Sequence, residues 1–175
     1  GKVDPWGIIE CKYYDGKLYV KELNYLSENQ WREKMNSTDR LTIDSDTSEE
    51  GIEGGIVLWL FKKLGIKKKY DIICDSNRLT KIAVLRRKGY EYAIPAKTKE
   101  TGKSSILDGI ELLSLLDVCI VDGSTNLINE NESYSYKVDR YGVVLEEPED
   151  QDNHLHDPTR YVAQYLRKLG VIRKV

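Results

Sequence analysis

An Asp15-Gly16 pair lies between two stretches rich in β-branched and aromatic residues, WGIIECKYY and KLYVKELNYL. An Asp-Gly dipeptide in this setting is a strong signal of a β-hairpin, because both turn positions need a positive φ. We therefore expect antiparallel strands from about Trp6 to Tyr14 and from about Lys17 to Leu26. The chain must then fold around a sheet that opens with an antiparallel pair.

Polar residues interrupt this pattern from Asn36 to Ser48, and we expect a loop there. Thr47 and Glu50 have the spacing of a capping box, which predicts the start of a helix. Apolar residues follow at helical spacing up to Gly65, a residue suited to end a helix.

Strands and helices alternate through the rest of the chain. The strand YDIIC precedes a helix over 78–88, and the strand YEYAIPA precedes a helix that Ser105 and Asp108 introduce. The strand DVCIV, a short helix and a hairpin turning at Arg140 to Gly142 lead to a last helix from Pro158 to about Leu169. This order predicts an α/β fold with a mixed sheet flanked by helices. In such folds, sites gather at the carboxyl ends of strands.

Composition excludes several classes of protein. With 175 residues, 40% of them hydrophobic and 32% charged, the chain fits one soluble domain, and its longest apolar runs are too short to span a bilayer. Three widely spaced cysteines, each inside an apolar run, are expected to be reduced core residues of a cytosolic protein. The net charge of −2 neither favours nor excludes a nucleic-acid partner.

Asp75 directly follows the apolar strand Ile72-Ile73-Cys74 and precedes a predicted helix. As a structural residue it would be an N-cap. As a functional residue it would be a carboxylate held at the end of a strand, where it could bind a divalent cation. The residues alone leave both interpretations open.

The segment QDNHLHDPTRY, residues 151–161, contains both histidines of the chain. If it is already helical, His154 and Asp157 project from one face and could share a metal ion. The alternative is a plain helix start with Asp157 as N-cap and Pro158 as the first helical residue. Proline also disfavours a helical conformation in the residue before it. His156 is expected to be exposed.

Lys97, Lys99 and Lys103 lie in a glycine- and threonine-containing segment that we expect to be a flexible loop. Such a run of charge is commonly just a solvated surface, but beside a metal site it would suit contacts with a phosphate backbone. The chain contains no GxxxxGK[ST] phosphate loop, so it is not itself a P-loop ATPase.

These signals in this order resemble a known family. The segments ICDSNRLTKIAVLRRKGYEYAIPAKTKETGKSSILDGIELL, VDGSTNLINENESYSYKVDRYG and DNHLHDPTRY are similar to the C-terminal nuclease domain of phage terminase large subunits. The last contains an N-H-x-x-D-x-x-R-Y signature. The resemblance implies an RNase H-like fold that cleaves double-stranded DNA with two Mg²⁺ or Mn²⁺ ions.

The resemblance also implies roles for particular residues. Asp75 and Asp157 would be catalytic carboxylates that bind metal, and His154 a further ligand. Lys97, Lys99 and Lys103, ahead of Ser104-Ser105, would contact DNA. The remaining matches are expected to support or border the site; they are Asn153, Arg160, Tyr161 and the hairpin over 134–144.

Two departures from the family pattern affect the expected site. Pro158 stands where the family has alanine, which puts the direction of the Asp157 side chain in question. The family's first strand, with its aspartate, has no counterpart, since Asp4 matches a later Asp-Pro and is expected to be a turn residue. We expect residues 1–175 to be a single nuclease domain cut from a longer terminase large subunit. The missing carboxylate would come from upstream sequence or from Asp4 or Asp152.

The resemblance further implies the setting of the full protein: an upstream ATPase domain, a terminase small subunit, a portal and the cytoplasm of a phage-infected host. Without the first aspartate, cleavage by this fragment is expected to be weak or absent. Two alternatives remain open from sequence. One is a non-catalytic module that binds DNA or a partner, and the other is a different RNase H-like nuclease such as a junction resolvase.

Overall fold

The computed structural model describes residues 4–96, 105–149 and 153–172. The strands are β1 (Ile8–Tyr14), β2 (Lys17–Asn24), β3 (Ile72–Cys74), β4 (Ala93–Pro95), β5 (Asp117–Ile120), β6 (Tyr136–Val138) and β7 (Val144–Pro148). The helices are α1 (Glu28–Lys34), α2 (Ser37–Ser45), α3 (Glu49–Lys63), α4 (Leu79–Arg87), α5 (Ser105–Ser114), α6 (Thr125–Ser133) and α7 (His156–Lys168).

The chain divides into two compact units. The first unit comprises Gly1–Pro5 and Leu26–Lys97, and the second unit comprises Trp6–Tyr25 and Thr98–Val175. The expectation of a single domain over residues 1–175 stays a prediction.

The second unit is built on the predicted hairpin. β1 pairs antiparallel with β2, and the turn places Asp15 and Gly16 at φ values of 50° and 76°. β5 then joins β2 in parallel, with Leu18 opposite Val118. The resulting three-stranded sheet contains both kinds of pairing, which confirms the prediction of a mixed sheet.

The core of the second unit lies where this sheet meets the helices. Leu18 and Val20 of β2, Leu127 of α6 and Leu155 just before α7 are almost fully buried in one cluster. Gly7, ahead of β1, lies directly against the backbone carbonyl of His154, where a Cβ atom would have no room. Burial of Leu155 and this close approach fix the chain where α7 begins.

The hairpin predicted before the last helix is also present. β6 pairs antiparallel with β7, and Gly142 has a φ of 82° in the turn between them. In this turn the Asp139 carboxylate accepts hydrogen bonds from the backbone N–H groups of Tyr141 and Val143, at 2.8 and 2.9 Å.

The first unit contains a parallel pair of strands with helices. β3 pairs with β4, and Ile73 lies opposite Ile94. α3 and α4 pack closely, because Gly54 of α3 leaves space for the Val84 side chain of α4. Among the described residues, the apolar core of this unit consists of Ile56, Leu60, Phe61, Ile82, Val84, Leu85, Tyr90, Ala93 and Ala96.

The predicted loop over residues 36–48 is wrong, because α2 occupies most of it. Asn36 is the N-cap of α2, and its side chain accepts a hydrogen bond from the Asp39 N–H at 2.7 Å. The next helix, α3, is capped by Ser48 and not by Thr47. Two of the polar residues that suggest a loop, Asn36 and Ser48, are thus helix caps, and others lie within α2; residue types alone do not distinguish a cap from a loop.

None of the helices in the described ranges is both long and apolar enough to cross a membrane. The three cysteines are free and half-buried, which confirms that they are unpaired but places them at the margin of the core.

Candidate functional site

Asp75 lies in the first unit, directly after β3. It is not the N-cap of α4, because that position belongs to Arg78. Its Oδ1 atom accepts a hydrogen bond from the Asn77 N–H at 2.9 Å, and its carbonyl oxygen accepts one from the Arg78 N–H at 3.1 Å. This tight turn orients a half-buried carboxylate at the carboxyl end of a parallel strand, where sites gather in α/β folds.

His154 and Asp157 lie in the second unit, at the start of α7. The helix begins at His156, two residues before the predicted start, so Asp157 belongs to its first turn and is not its N-cap. The Asp157 N–H donates to the Asn153 carbonyl at 2.9 Å, a helical bond that spans residues 153–157. Proline has no backbone N–H group. In the first turn of a helix this group has no partner within the helix, so Pro158 does not break the turn.

Neighbouring side chains hold the Asp157 carboxylate in place. Its Oδ1 atom accepts a hydrogen bond from Arg160 Nη2 at 2.7 Å, and its Oδ2 atom accepts a longer one from the Tyr161 hydroxyl at 3.4 Å. Arg160 is only 2% exposed, so this ion pair is partly shielded from water. The pairing confirms that these two signature residues support the aspartate.

His154 makes an edge-on contact with the ring of Tyr25, with the ring centres 6.0 Å apart. Its imidazole is half-buried beside the first turn of α7. Imidazole nitrogen and carboxylate oxygen are both donor types that Mn²⁺ accepts.

His156 is half-buried, so the expectation of an exposed side chain is wrong. Its ring stacks on Tyr134 at 4.0 Å, and it lines a groove of about 390 Å³ with Asn131 and Thr159. Burial lowers the pKa of this imidazole below its ordinary value, although the Asp157 carboxylate opposes the shift. The stacking is a contact between residues far apart in sequence, which no local pattern indicates.

The structure brings only some of the predicted site residues together. His154 and Asp157 share one turn of the second unit, whereas Asp75 belongs to the first unit. In the described part of either unit, no three His, Cys, Asp or Glu side chains cluster closely enough to hold a metal ion. Asp4 is exposed, and Lys97, Lys99, Lys103 and Asp152 lie outside the described residues.

The amino-acid sequence is similar to one curated phage protein. It is 32% identical over 109 residues to the terminase large subunit of Bacillus phage SPP1, a match that covers 59% of this chain. The match covers only 25% of the length of that relative. No family model matches the chain.

The fold is similar to solved structures of two large terminases. The crystal structure of the large-terminase nuclease domain from bacteriophage SPP1 with bound Mn superimposes with a TM-score of 0.63 at 22% identity, over 94% of this chain and 81% of that one. The large terminase of a thermophilic bacteriophage in complex with ADP superimposes with a TM-score of 0.57 at 22% identity, over 95% of this chain and 41% of that one. The chain has the fold of a terminase nuclease domain. The RNase H-like fold and the resemblance to phage terminases are therefore confirmed.

Sequence reasoning missed one residue of this terminase nuclease fold that contacts the start of α7. Glu130 of α6 accepts backbone hydrogen bonds from Leu155 and His156, at 2.7 and 3.0 Å. No periodicity or motif links these positions, because they lie on different elements. α6 is polar and mostly exposed, so a glutamate in it gives no signal in the sequence.

Proposed function

We propose that this chain is the nuclease domain of a phage packaging terminase, a metal-dependent endonuclease that cleaves double-stranded DNA. The observation that carries the proposal is the terminase nuclease fold together with His154 and Asp157 within the single hydrogen-bonded turn, residues 153–157, where α7 begins. The SPP1 nuclease domain has been solved with Mn, and the carboxylate and imidazole groups present here suit the same ion.

Asp75, Asp157 and His154 would hold the metal, with Asp75 and Asp157 as the catalytic carboxylates. When bound, two Mg²⁺ or Mn²⁺ ions supply positive charge to the attacking and leaving oxygens of in-line phosphodiester hydrolysis. Arg160 keeps Asp157 in one orientation, and the Asn77 N–H does the same for Asp75. Lys97, Lys99 and Lys103 would contact phosphates and hold the duplex without reading its sequence.

A full site needs another carboxylate, because the described residues of each unit contain no three-ligand cluster. We propose that upstream sequence supplies it, with Asp4 or Asp152 as the alternatives within this chain. The complete protein would then combine this domain with an upstream ATPase domain, act with a small subunit and a portal, and work in the host cytoplasm.

The same lack of a three-ligand cluster in the described residues favours one rival function, a module that binds DNA or a partner but does not cleave. One assay distinguishes the nuclease from the binding module. Supercoiled plasmid is incubated with Mn²⁺ and either this chain or a version extended upstream, and nicked and linear products are measured on a gel.

We expect the extended version to cut and this chain to cut weakly or not at all. Asp75→Asn and Asp157→Asn should abolish cutting by the extended version, since each removes a charged metal ligand. Asp71→Asn and Asp122→Asn, at exposed positions of the same two units, are the matched controls and should keep activity. An inactive extended version, or an active Asp75→Asn variant, would falsify the nuclease function and leave the binding module.

A further inference from the structure

The helix α7 begins without a side-chain cap of its own. Its N-cap residue is Leu155, whose apolar side chain cannot accept a hydrogen bond. The first N–H groups of a helix have no partner within the helix, so they need an acceptor from elsewhere. Glu130 provides it, because its Oε2 atom accepts from both the Leu155 and the His156 N–H groups.

Glu130 lies near the end of α6 and is only 2% exposed. A buried carboxylate is costly unless donors compensate for the water it has lost. Two backbone N–H groups at the positive end of a helix dipole are such donors. The placement is therefore specific: α6 carries a buried acceptor at the point where α7 needs one.

A second glutamate positions α6 in the same way. The N-cap residue Ser124 makes no side-chain cap, and Glu22 of β2 accepts hydrogen bonds from the Asn126 and Leu127 N–H groups, at 2.9 and 3.2 Å. The Ser124 hydroxyl oxygen in turn accepts the Glu22 N–H at 3.0 Å. β2 thus fixes the start of α6, and α6 fixes the start of α7.

The residues that follow this contact are the proposed metal ligands. Leu155 and His156, whose amides Glu130 holds, stand between His154 and Asp157 in the chain. A shift of this turn would move both side chains together. We propose that Glu130 is a positioning residue that acts through these two amides to set the directions of His154 and Asp157. This role rests on the proposed metal-dependent function.

Three variants distinguish the effect of side-chain length at position 130 from the effect of its charge. Glu130→Gln keeps the length of the side chain and an acceptor oxygen but removes the charge. Its amide nitrogen can take the place of Oε1, a buried atom with no hydrogen-bond partner among the described residues. Glu130→Asp keeps the charge but is one methylene too short to reach both amides. Glu132→Asp, at an exposed position of the same helix, is the matched control.

Two measurements are made on the version extended upstream: hydrogen exchange of the Leu155 and His156 amides by NMR, and Mn²⁺ affinity by calorimetry. If the length of the Glu130 side chain is what matters, Glu130→Asp exposes both amides to exchange. It should also weaken Mn²⁺ binding by about tenfold, the lower end of the range for residues that hold metal ligands in place. Glu130→Gln and Glu132→Asp should behave like the wild type in both measurements. A purely structural role would lower the stability of Glu130→Asp but leave the Mn²⁺ affinity of its folded form unchanged.

The outcomes are distinct. Unchanged amide exchange or unchanged Mn²⁺ affinity in Glu130→Asp overturns the positioning role. So does a Glu130→Gln variant that loses Mn²⁺ affinity while its amides stay protected, since charge would then be the cause. A version extended upstream that keeps Glu130 and binds no Mn²⁺ overturns the metal-dependent function itself, and that failure is recognised because the amides still report whether Glu130 caps α7.

Discussion

At the scale of single residues, Arg160 and Asp157 form an ion pair in the first turns of α7. The arginine side chain is 2% exposed and the aspartate 29% exposed, and the atoms that join them are 2.7 Å apart. A charge-assisted hydrogen bond to a buried cation is stronger than a neutral one. The pair therefore contributes to stability as well as to the orientation of a proposed ligand.

We expect Asp157→Asn to lower the free energy of unfolding by about 2 kcal/mol, because the asparagine oxygen still accepts from Arg160 but carries no charge. Urea denaturation followed by circular dichroism at pH 7 measures the change. Asp122→Asn, at an exposed turn of the same unit, should change stability by less than about 0.5 kcal/mol. Equal stability of wild type and Asp157→Asn would mean that the ion pair is not formed in solution.

At the scale of elements, the packing of α5 against α7 depends on a glycine. A Cβ atom at Gly109 would collide with Cγ of the buried Arg160 side chain, the residue that holds Asp157. Asp108 beside it binds Arg167 through two hydrogen bonds, at 2.8 and 2.5 Å. α5 and α7 thus approach closely at Gly109, and ion pairs lie near this contact: Asp108 with Arg167, and Asp157 with Arg160.

Gly109→Ala should destabilise the chain by about 1–3 kcal/mol, the usual cost of overpacking, even though alanine favours a helix over glycine by about 1 kcal/mol. Gly55→Ala in α3 is the comparison, since its Cβ atom would meet only the Ile43 methyl group at 3.3 Å. We expect that variant to be at least as stable as the wild type. Thermal melts measure the difference in stability between the two variants. If Arg160 can move aside, Gly109→Ala will be as stable as Gly55→Ala.

Elements with local signals were predictable from sequence. The Asp15-Gly16 turn and the glycines after α3, α4 and α7 mark where the chain reverses or a helix ends, because those positions have a positive φ. α1 and α2 were missed, since polar caps such as Ser27 and Asn36 are also common loop residues. The start of α7 was misplaced because a distant glutamate determines it. Asp75 and Asp157 stay proposed site residues from the order and spacing of the motifs; the same signature contains Arg160, the partner of Asp157, whereas the contact of Glu130 has no local signal.

At the scale of the whole molecule, each compact unit contains a half-buried thiol whose reactivity reports on the folding of that unit. Burial raises the pKa of Cys11 in the second unit to about 12, and the neighbouring Glu10 carboxylate adds to the shift. Burial also raises the pKa of Cys74 in the first unit to about 11, while Arg86 partly opposes it. Both thiols are therefore protonated at neutral pH while the chain is folded.

Iodoacetamide reacts with thiolates, so labelling at pH 8 should be slower in the folded than in the unfolded chain by about a thousandfold at Cys11 and about a hundredfold at Cys74. Mass spectrometry at increasing urea concentration follows each site separately. The two midpoints then give the stability of each unit. Rapid labelling of either cysteine without urea would show that its unit is open in solution.

The connection from β2 through α6 to α7 makes α6 a spacer of fixed length. Inserting one residue between Asn126 and Glu130 would turn Glu130 by about 100° around the helix axis and move it about 1.5 Å along it. The carboxylate would then face away from the amides at the start of α7. The exposed turn between β6 and β7 is under no such constraint, and it can lengthen without moving either glutamate.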